Sequence, residues 1–220
     1  MFISAKKKYK TVVFIIGIAL LGSAFFFAKK QYSNADFGAS FGNKATKARA
    51  KLAAMQSLFE SCASICNSDP VFMQSLVFPE VMRYNTLKDG IEAESLRTLY
   101  VQFGKEYSNF SIGIFQMKPS FAEEVEEKAI AMLPAPVNKE LQLQYNSSDA
   151  EEIRSERVER LQDDQWQLVY LTAFICICNE IYKDHLFPGN LEKLQWYATV
   201  YNAGFNKSDA YISKKIKEEN

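Results

Sequence analysis

Glu80 is the one acid in an apolar run, Val77-Phe78-Pro79-Glu80-Val81-Met82. A carboxylic acid can hand a proton to a departing oxygen near neutral pH only if its charged form is disfavoured, most simply by apolar surroundings. Two later segments carry groups that could hold a substrate beside such an acid. Gly113, Ile114, Phe115 and Gln116 pair a glycine, which allows close approach to the backbone, with an amide that can hydrogen-bond a ligand. Tyr201-Asn202-Ala203-Gly204 offers a phenol and an amide at a helix stop. Taken singly, each also reads as plain structure: an acid near a helix start, a turn with a satisfied glutamine, and an apolar helix face.

The elements that must position these groups are helical. Leu52, Met55, Phe59, Cys62 and Cys66 recur at three- and four-residue steps in a helix starting at about Lys44. Asn67-Ser68-Asp69-Pro70 stops it and caps a short stretch leading to Glu80. A helix beginning at Pro79 would put Glu80 at its amino end, where the dipole favours the charge and burial must win. Asp89-Gly90 reads as a turn, and 91–107 as a helix through Leu96, Leu99, Tyr100 and Phe103.

Pro119 or Ser120 starts a helix over 121–133. Glu123, Glu124, Glu126 and Glu127 near its start are read as dipole compensation and solvation. Pro134-Ala135-Pro136 breaks the chain, 138–150 is polar loop, and 150–161 is a charged helix with Asp163-Asp164 beyond it. The run 166–182 is apolar on nearly all sides. Gln167, Thr172, Asn179 and Glu180 leave it too short to span a bilayer, so it reads as a central buried helix. Phe187-Pro188-Gly189-Asn190 turns into a helix over 191–203 that carries Tyr201, Trp196 and Tyr197, the last two as core. A final helix covers 209–217. No stretch alternates with period two for long, so the fold class is all-α, or α+β at most.

Ahead of this body, residues 1–10 form a basic tail and 11–28 an uncharged apolar run flanked by Lys29 and Lys30. Such a run is a transmembrane anchor or a secretory signal. Gly22-Ser23-Ala24 could be cut, but Phe25-Phe26-Phe27 would make an unusually apolar new terminus, which favours an uncleaved anchor. Residues 29–43, rich in Gly, Ser, Asn and Ala, read as a linker. The lysines of the tail point to an N-terminus inside the cytoplasm and a body outside it. The net charge of zero hides an asymmetry. Six of the 26 basic residues lie in 1–30, which has no acid, leaving 20 basic against 26 acidic residues beyond. An acidic body without a basic stripe is a poor nucleic-acid partner.

In order along the chain, the three chemical segments resemble the lytic transglycosylases and goose-type lysozymes. Residues 111–122, Ser-Ile-Gly-Ile-Phe-Gln-Met-Lys-Pro-Ser-Phe-Ala, resemble that family's S-x-G-L-M-Q-x-x-P-x-x-A block, with Phe115 in place of the usual Met. Residues 197–204, Tyr-Ala-Thr-Val-Tyr-Asn-Ala-Gly, resemble its A-Y-N-A-G block, and Glu80 sits where the family carries its catalytic acid. The resemblance spans roughly residues 70–207. It implies a lysozyme-like helical domain over 44–220, acting on the β-1,4 link between MurNAc and GlcNAc in peptidoglycan. It further implies that Gly113, Phe115 and Gln116 line a sugar groove beside Glu80. Tyr201 would direct its hydroxyl towards the acid or the substrate N-acetyl group, and Asn202 would orient the loop at the helix end. No metal or cofactor is called for.

A lytic transglycosylase needs one acid. A hydrolase needs a second group to place water, for which Asp89, Glu92, Glu94 and Glu106 are the nearby candidates, each equally readable as helix-surface solvation. Val81 replaces the serine that usually follows the family's acid. The gaps of 36 residues from Glu80 to Gln116 and 86 from Gln116 to Asn202 are long, so 85–108 and 134–165 read as insertions. The alternative is a non-catalytic peptidoglycan-binding or envelope scaffold domain of the same fold.

The remaining chemistry is sparse. Cys62 and Cys66 lie four apart on one helix, and Cys176 and Cys178 form a C-x-C. Any bridge would join one pair to the other, the spacing is not that of a zinc ribbon, and buried small apolar residues are the simplest reading. His185, the only histidine, adjoins a Phe-Pro-Gly turn and reads as a surface residue. No Ser/His/Asp set, P-loop or dinucleotide fingerprint is present.

Overall fold

Helices α1 (Phe37–Ala54), α2 (Gln56–Ile65), α3 (Pro70–Arg83), α4 (Thr86–Phe103), α5 (Pro119–Met132), α6 (Ala135–Leu141), α7 (Ala150–Gln162), α8 (Asp164–Ile181), α9 (Asn190–Ala203) and α10 (Asp209–Glu219) follow one another in the computed structural model. It describes residues 37–84 and 86–219, the side chains of 37–41, 86–94 and 219 excepted. Among the described residues there is no strand, only one isolated antiparallel bridge between Ile112 and Met117. The expected all-α class is therefore observed. The chain divides into units Met1–Lys44 and Ala45–Asn220, and the candidate site lies in the second. The basic tail 1–10, the apolar run 11–28 and the first part of the linker fall outside the described residues. No helix among the described residues is long and apolar enough to cross a membrane.

The apolar stretch at 166–182 forms the centre, as expected. From Gln167 to Cys178 every residue of α8 except Val169 is buried, and α8 packs against α2, α3, α5, α7 and α9. Three aspartates set the helix starts. Asp69 accepts from the Val71 amide, Asp149 from those of Glu151 and Glu152, and Asp163 from those of Gln165 and Trp166. Each such cap is worth about 1 kcal/mol, because the first amides of a helix have no partner within it.

Several boundaries differ from expectation. Residues 37–43, expected as linker, begin α1: the Ala- and Lys-rich turns that follow extend helix backwards, with no proline to stop it. The single helix expected over 44–66 breaks at Met55, whose amide bonds three residues back to Leu52 at 3.0 Å. Asp89-Gly90 is no turn, since α4 runs through it. The chain turns instead at Gly104, whose φ of +87° suits glycine. The first residues of the expected loop 138–150 belong to α6. There the Asn138 side chain donates to the Ala129 and Leu133 carbonyls left open at the end of α5.

The charged helix α7 turns two arginines inward. Arg157 pairs with Glu126 of α5 through Nε at 3.0 Å and Nη2 at 2.6 Å, and also donates to the Tyr100 hydroxyl at 2.6 Å. Tyr170 donates to Glu126 at 2.6 Å, and Tyr145 joins the same oxygen. Glu126 is thus a buried ion-pair partner and not a solvated residue compensating a dipole. Burial opposes the Arg157 charge, but the Glu126 carboxylate outweighs it and holds the guanidinium protonated. Arg160 lies 4.2 Å from the ring centres of both Tyr145 and Trp166 and donates to the Leu143 and Gln144 carbonyls at 2.9 Å. The segments 85–108 and 134–165 are therefore tied into the core: α4 packs on α7, and α7 on both α5 and α8.

Candidate active site cleft

The G-x-x-Q segment forms a tight four-residue loop. Ile112 and Met117 exchange backbone bonds of 2.8 and 3.1 Å, closing Gly113, Ile114, Phe115 and Gln116 between them. Gly113 at φ +67° and Gln116 at φ +51° supply the left-handed conformations. The Gln116 side chain folds back to donate to the Gly113 carbonyl at 2.9 Å. A fully buried side chain, Gln167 of α8, holds the loop from beneath. Its oxygen accepts the Phe115 amide at 2.7 Å, and its nitrogen donates to the Ile112 and Leu161 carbonyls. A Cβ at position 113 would collide with the Gln167 side chain and the Leu161 carbonyl. Glycine is needed here for that contact.

Glu80 lies in the last turn of α3, not at the start of a helix. Asp69 and Pro70 start α3 so firmly that Pro79 is accommodated inside it. The carbonyl end of the dipole is therefore nearest Glu80 and opposes a negative charge there. Glu80 is 8% exposed. Its carboxylate accepts from Arg83, one turn on, at 2.7 Å, while Arg83 itself is largely exposed.

Tyr201 and Asn202 come from the last turn of α9. The Tyr201 hydroxyl donates to the Phe115 carbonyl at 2.8 Å, and its ring packs on Phe121 and Phe174 at 4.9 and 5.3 Å between centres. Burial, with the Glu80 charge adding to it, pushes this phenol well above the usual tyrosine range, so it stays a donor. Asn202 is exposed and donates back to the Ala198 carbonyl of its own helix at 2.9 Å, so its side chain does not brace the following loop. Gly204 ends α9, the helix stop expected, with φ +88° and ψ 159°, a glycine conformation outside the left-handed helical region.

These pieces meet at one cleft of about 540 Å³, where Glu80, Gln116, Tyr201 and Asn202 all line the wall. Gly113 and Phe115 do not. Phe115 is fully buried against Phe59, 6.1 Å between ring centres, and contributes only its backbone to the site. Of the second-carboxylate candidates, Glu106 is exposed and does not line the cleft, and the side chains of Asp89, Glu92 and Glu94 lie outside the described residues. The cleft is also lined by Glu123, Glu124 and Glu127 of α5, with Lys105 from the turn after α4. Lys105 pairs with Glu123 at 3.0 Å, and Tyr100 donates to Glu123 at 2.7 Å. One Glu124 oxygen is shielded from solvent with no hydrogen-bond partner.

Sequence reasoning missed Gln167 and this acidic wall. Gln167 carried one signal, an amide within the most apolar part of the run 166–182. Glu123 and Glu124 showed no local mark that separates a cleft glutamate from a surface one. Elsewhere, His185 is half-buried, stacked 4.4 Å from both Phe187 and Trp196 and outside the cleft. Trp196 and Tyr197 are core. Among the described residues, no three His, Cys, Asp or Glu side chains cluster as metal ligands. In comparisons with known proteins, no family model, curated protein or solved structure gives a significant match to this chain.

Proposed function

We propose that the cleft binds a peptidoglycan glycan strand and cleaves the MurNAc-GlcNAc β-1,4 bond as a lytic transglycosylase of lysozyme-like fold. The observation that supports this reading is the convergence of Glu80, Gln116, Tyr201 and Asn202, distant in sequence, on one cleft. Glu80 is the only one of them that can supply a proton. It protonates the glycosidic oxygen as the bond to C1 breaks with oxocarbenium character. The resulting carboxylate then takes the proton of the muramyl 6-hydroxyl as that oxygen attacks C1, giving a 1,6-anhydro product. The Tyr201 bond to Phe115 and the Gln167 brace keep the loop rigid, so that Gln116 meets the sugar at fixed geometry. In the same reading, 11–28 anchors the chain in the cytoplasmic membrane and the helical domain faces the periplasm or exterior.

One observation favours a binding domain without turnover. The Arg83 guanidinium already occupies Glu80, and Val81 supplies no hydroxyl beside it. Digestion of purified peptidoglycan by the full-length chain in mild detergent, alongside Glu80→Gln, separates the readings. Anhydromuropeptides that vanish in the variant support the transglycosylase. New reducing ends identify a hydrolase, with Glu124 the first residue to test as its second carboxyl. Sedimentation with the wall and no product identifies the binding domain.

A further inference from the structure

Helices α2 and α8 pack side by side, and thiols line their seam. Cys62 lies in α2, Cys66 is its carboxyl cap, and Cys176 and Cys178 lie in α8; all four are free. The Cys62 thiol lies against the Thr172 side chain, and the Cys66 carbonyl accepts from Asn179 Nδ2 at 3.2 Å. Between these two contacts, the Cys66 thiol, which donates to the Ala63 carbonyl at 3.8 Å, faces the thiol of Cys176 across the seam. Thr172, Cys176 and Asn179 are four and three residues apart, so they share one face of α8. The two helices therefore run in the same direction along this seam, with 62 opposite 172 and 66 opposite 176. Cys178 is fully buried on another face and takes no part.

A cation completes the arrangement. Lys193 of α9 donates to Asn179 Oδ1 at 3.2 Å, which puts its charge beside the Cys66 end of the seam. The neighbouring Cys176 thiol outweighs burial and, with Lys193, lowers the Cys66 thiol below the ordinary range, while the Cys176 thiol is raised. Cys66 is half-buried and Cys176 buried. A partly exposed sulfur thus faces a shielded one, the arrangement of an attacking and a resolving thiol.

We propose that Cys66 and Cys176 are a redox dithiol that closes to an intramolecular disulfide, with Cys66 as the attacking sulfur. The oxidant is a small-molecule disulfide such as oxidised glutathione. Cys66 thiolate attacks one glutathione sulfur, forms a mixed disulfide and expels one glutathione thiolate. Cys176 gives its proton to solvent and attacks the Cys66 sulfur, expelling the second glutathione. Two cysteines lose two electrons together, and one glutathione disulfide becomes two glutathiones. The bond would pin the end of α2, and with it the start of the Glu80 helix, to the helix that carries Gln167. It does not depend on the glycan chemistry.

The test uses the full-length chain in mild detergent, incubated with oxidised glutathione, then denatured, alkylated and mapped by mass spectrometry. The expected product loses two hydrogens, takes up two alkyl groups instead of four, and yields a cross-linked Cys66–Cys176 peptide. Its Tm rises by roughly 5 to 10 °C, and dithiothreitol reverses the rise. Before oxidation, limiting iodoacetamide at neutral pH labels Cys66 first. Cys66→Ser abolishes the rise, whereas Cys62→Ser keeps it. Four alkylated cysteines after oxidation, a stable glutathione adduct on Cys66 without cross-link, or a bridge through Cys62 would overturn the proposal. The peptide map of the unaltered chain decides it even where a variant fails to fold.

Discussion

Tyr201 ties the end of α9 to the 112–117 loop by donating its phenol hydrogen to the Phe115 carbonyl at 2.8 Å. This single bond joins two segments 86 residues apart and fixes the loop beside Glu80. Tyr201→Phe keeps the ring packing on Phe121 and Phe174 and removes only the donor. The expected cost is about 1–2 kcal/mol, because the carbonyl is left unpaired in the interior. In urea unfolding the midpoint should fall by that equivalent with an unchanged slope. Cleavage of peptidoglycan should fall in a sample still fully folded, since Gln116 is then less well held. A variant with unaltered midpoint and turnover would remove Tyr201 from the positioning role.

Gly113 and Gln167 should behave as one unit. Gly113→Ala drives a methyl into the Gln167 side chain at a positive φ, for an expected loss of about 3–5 kcal/mol. Gln167→Ala alone strands the Phe115 amide and removes the side-chain bonds to the Ile112 and Leu161 carbonyls, at about 2–4 kcal/mol. The double variant should cost well under the sum, since removing the glutamine relieves the collision. Chemical denaturation of all four proteins gives the coupling directly. Additive losses would contradict the contact.

Burial should separate the ion pairs. Arg157→Leu leaves Glu126 charged and buried without its main partner, and should cost about 3–5 kcal/mol. Lys51→Ala breaks a pair at 2.6 Å between two exposed side chains, and should cost less than about 1 kcal/mol. Thermal melts at low and high salt provide a second check. Only the Lys51–Asp164 pair should weaken as salt rises.

Stability should fall in alkali. Burial raises the phenols of Tyr100, Tyr145, Tyr170, Tyr182, Tyr197 and Tyr201 above their ordinary value. Between that value, about 10, and the higher folded value, the unfolded chain sheds protons that the folded chain keeps. The folded form then binds more protons, so stability declines as pH rises. These groups contribute nothing to the pH dependence below about 9. Above 10 each adds up to about 1.4 kcal/mol of loss per pH unit. Phenolate absorbance followed with circular dichroism should show the six titrating together as the helices melt. Titration of all tyrosines before unfolding would contradict this.

What the sequence disclosed follows from how local each cause is. Asp69, Asp149 and Asp163 cap helices within three residues of themselves, so those starts were readable. The buried character of 166–182 was readable because nearly every face is apolar. Asp89-Gly90 misled because a turn dipeptide was outweighed by the helix around it, while the real stop was Gly104. Glu80, Gln116 and Tyr201 were found as motif residues, and the fold brings them to one cleft. The burial of Glu126 was invisible because its partner Arg157 lies 31 residues on, in a helix that looks entirely solvated. Phe115 was misassigned to the groove for a similar reason: only the loop's pairing with Gln167 shows which way its ring turns.

The central position of α8 has a consequence for how the molecule opens. Packed against five other helices, α8 is shielded from water from Gln167 to Cys178 at every residue but Val169 while its neighbours stay in place. Its amides should exchange hydrogen only when the whole domain unfolds, and should mark the slowest-exchanging set. The Gln167 brace belongs to that set, so the cleft cannot loosen by local breathing. Opening the Glu80 cleft and losing the fold should therefore share one rate constant.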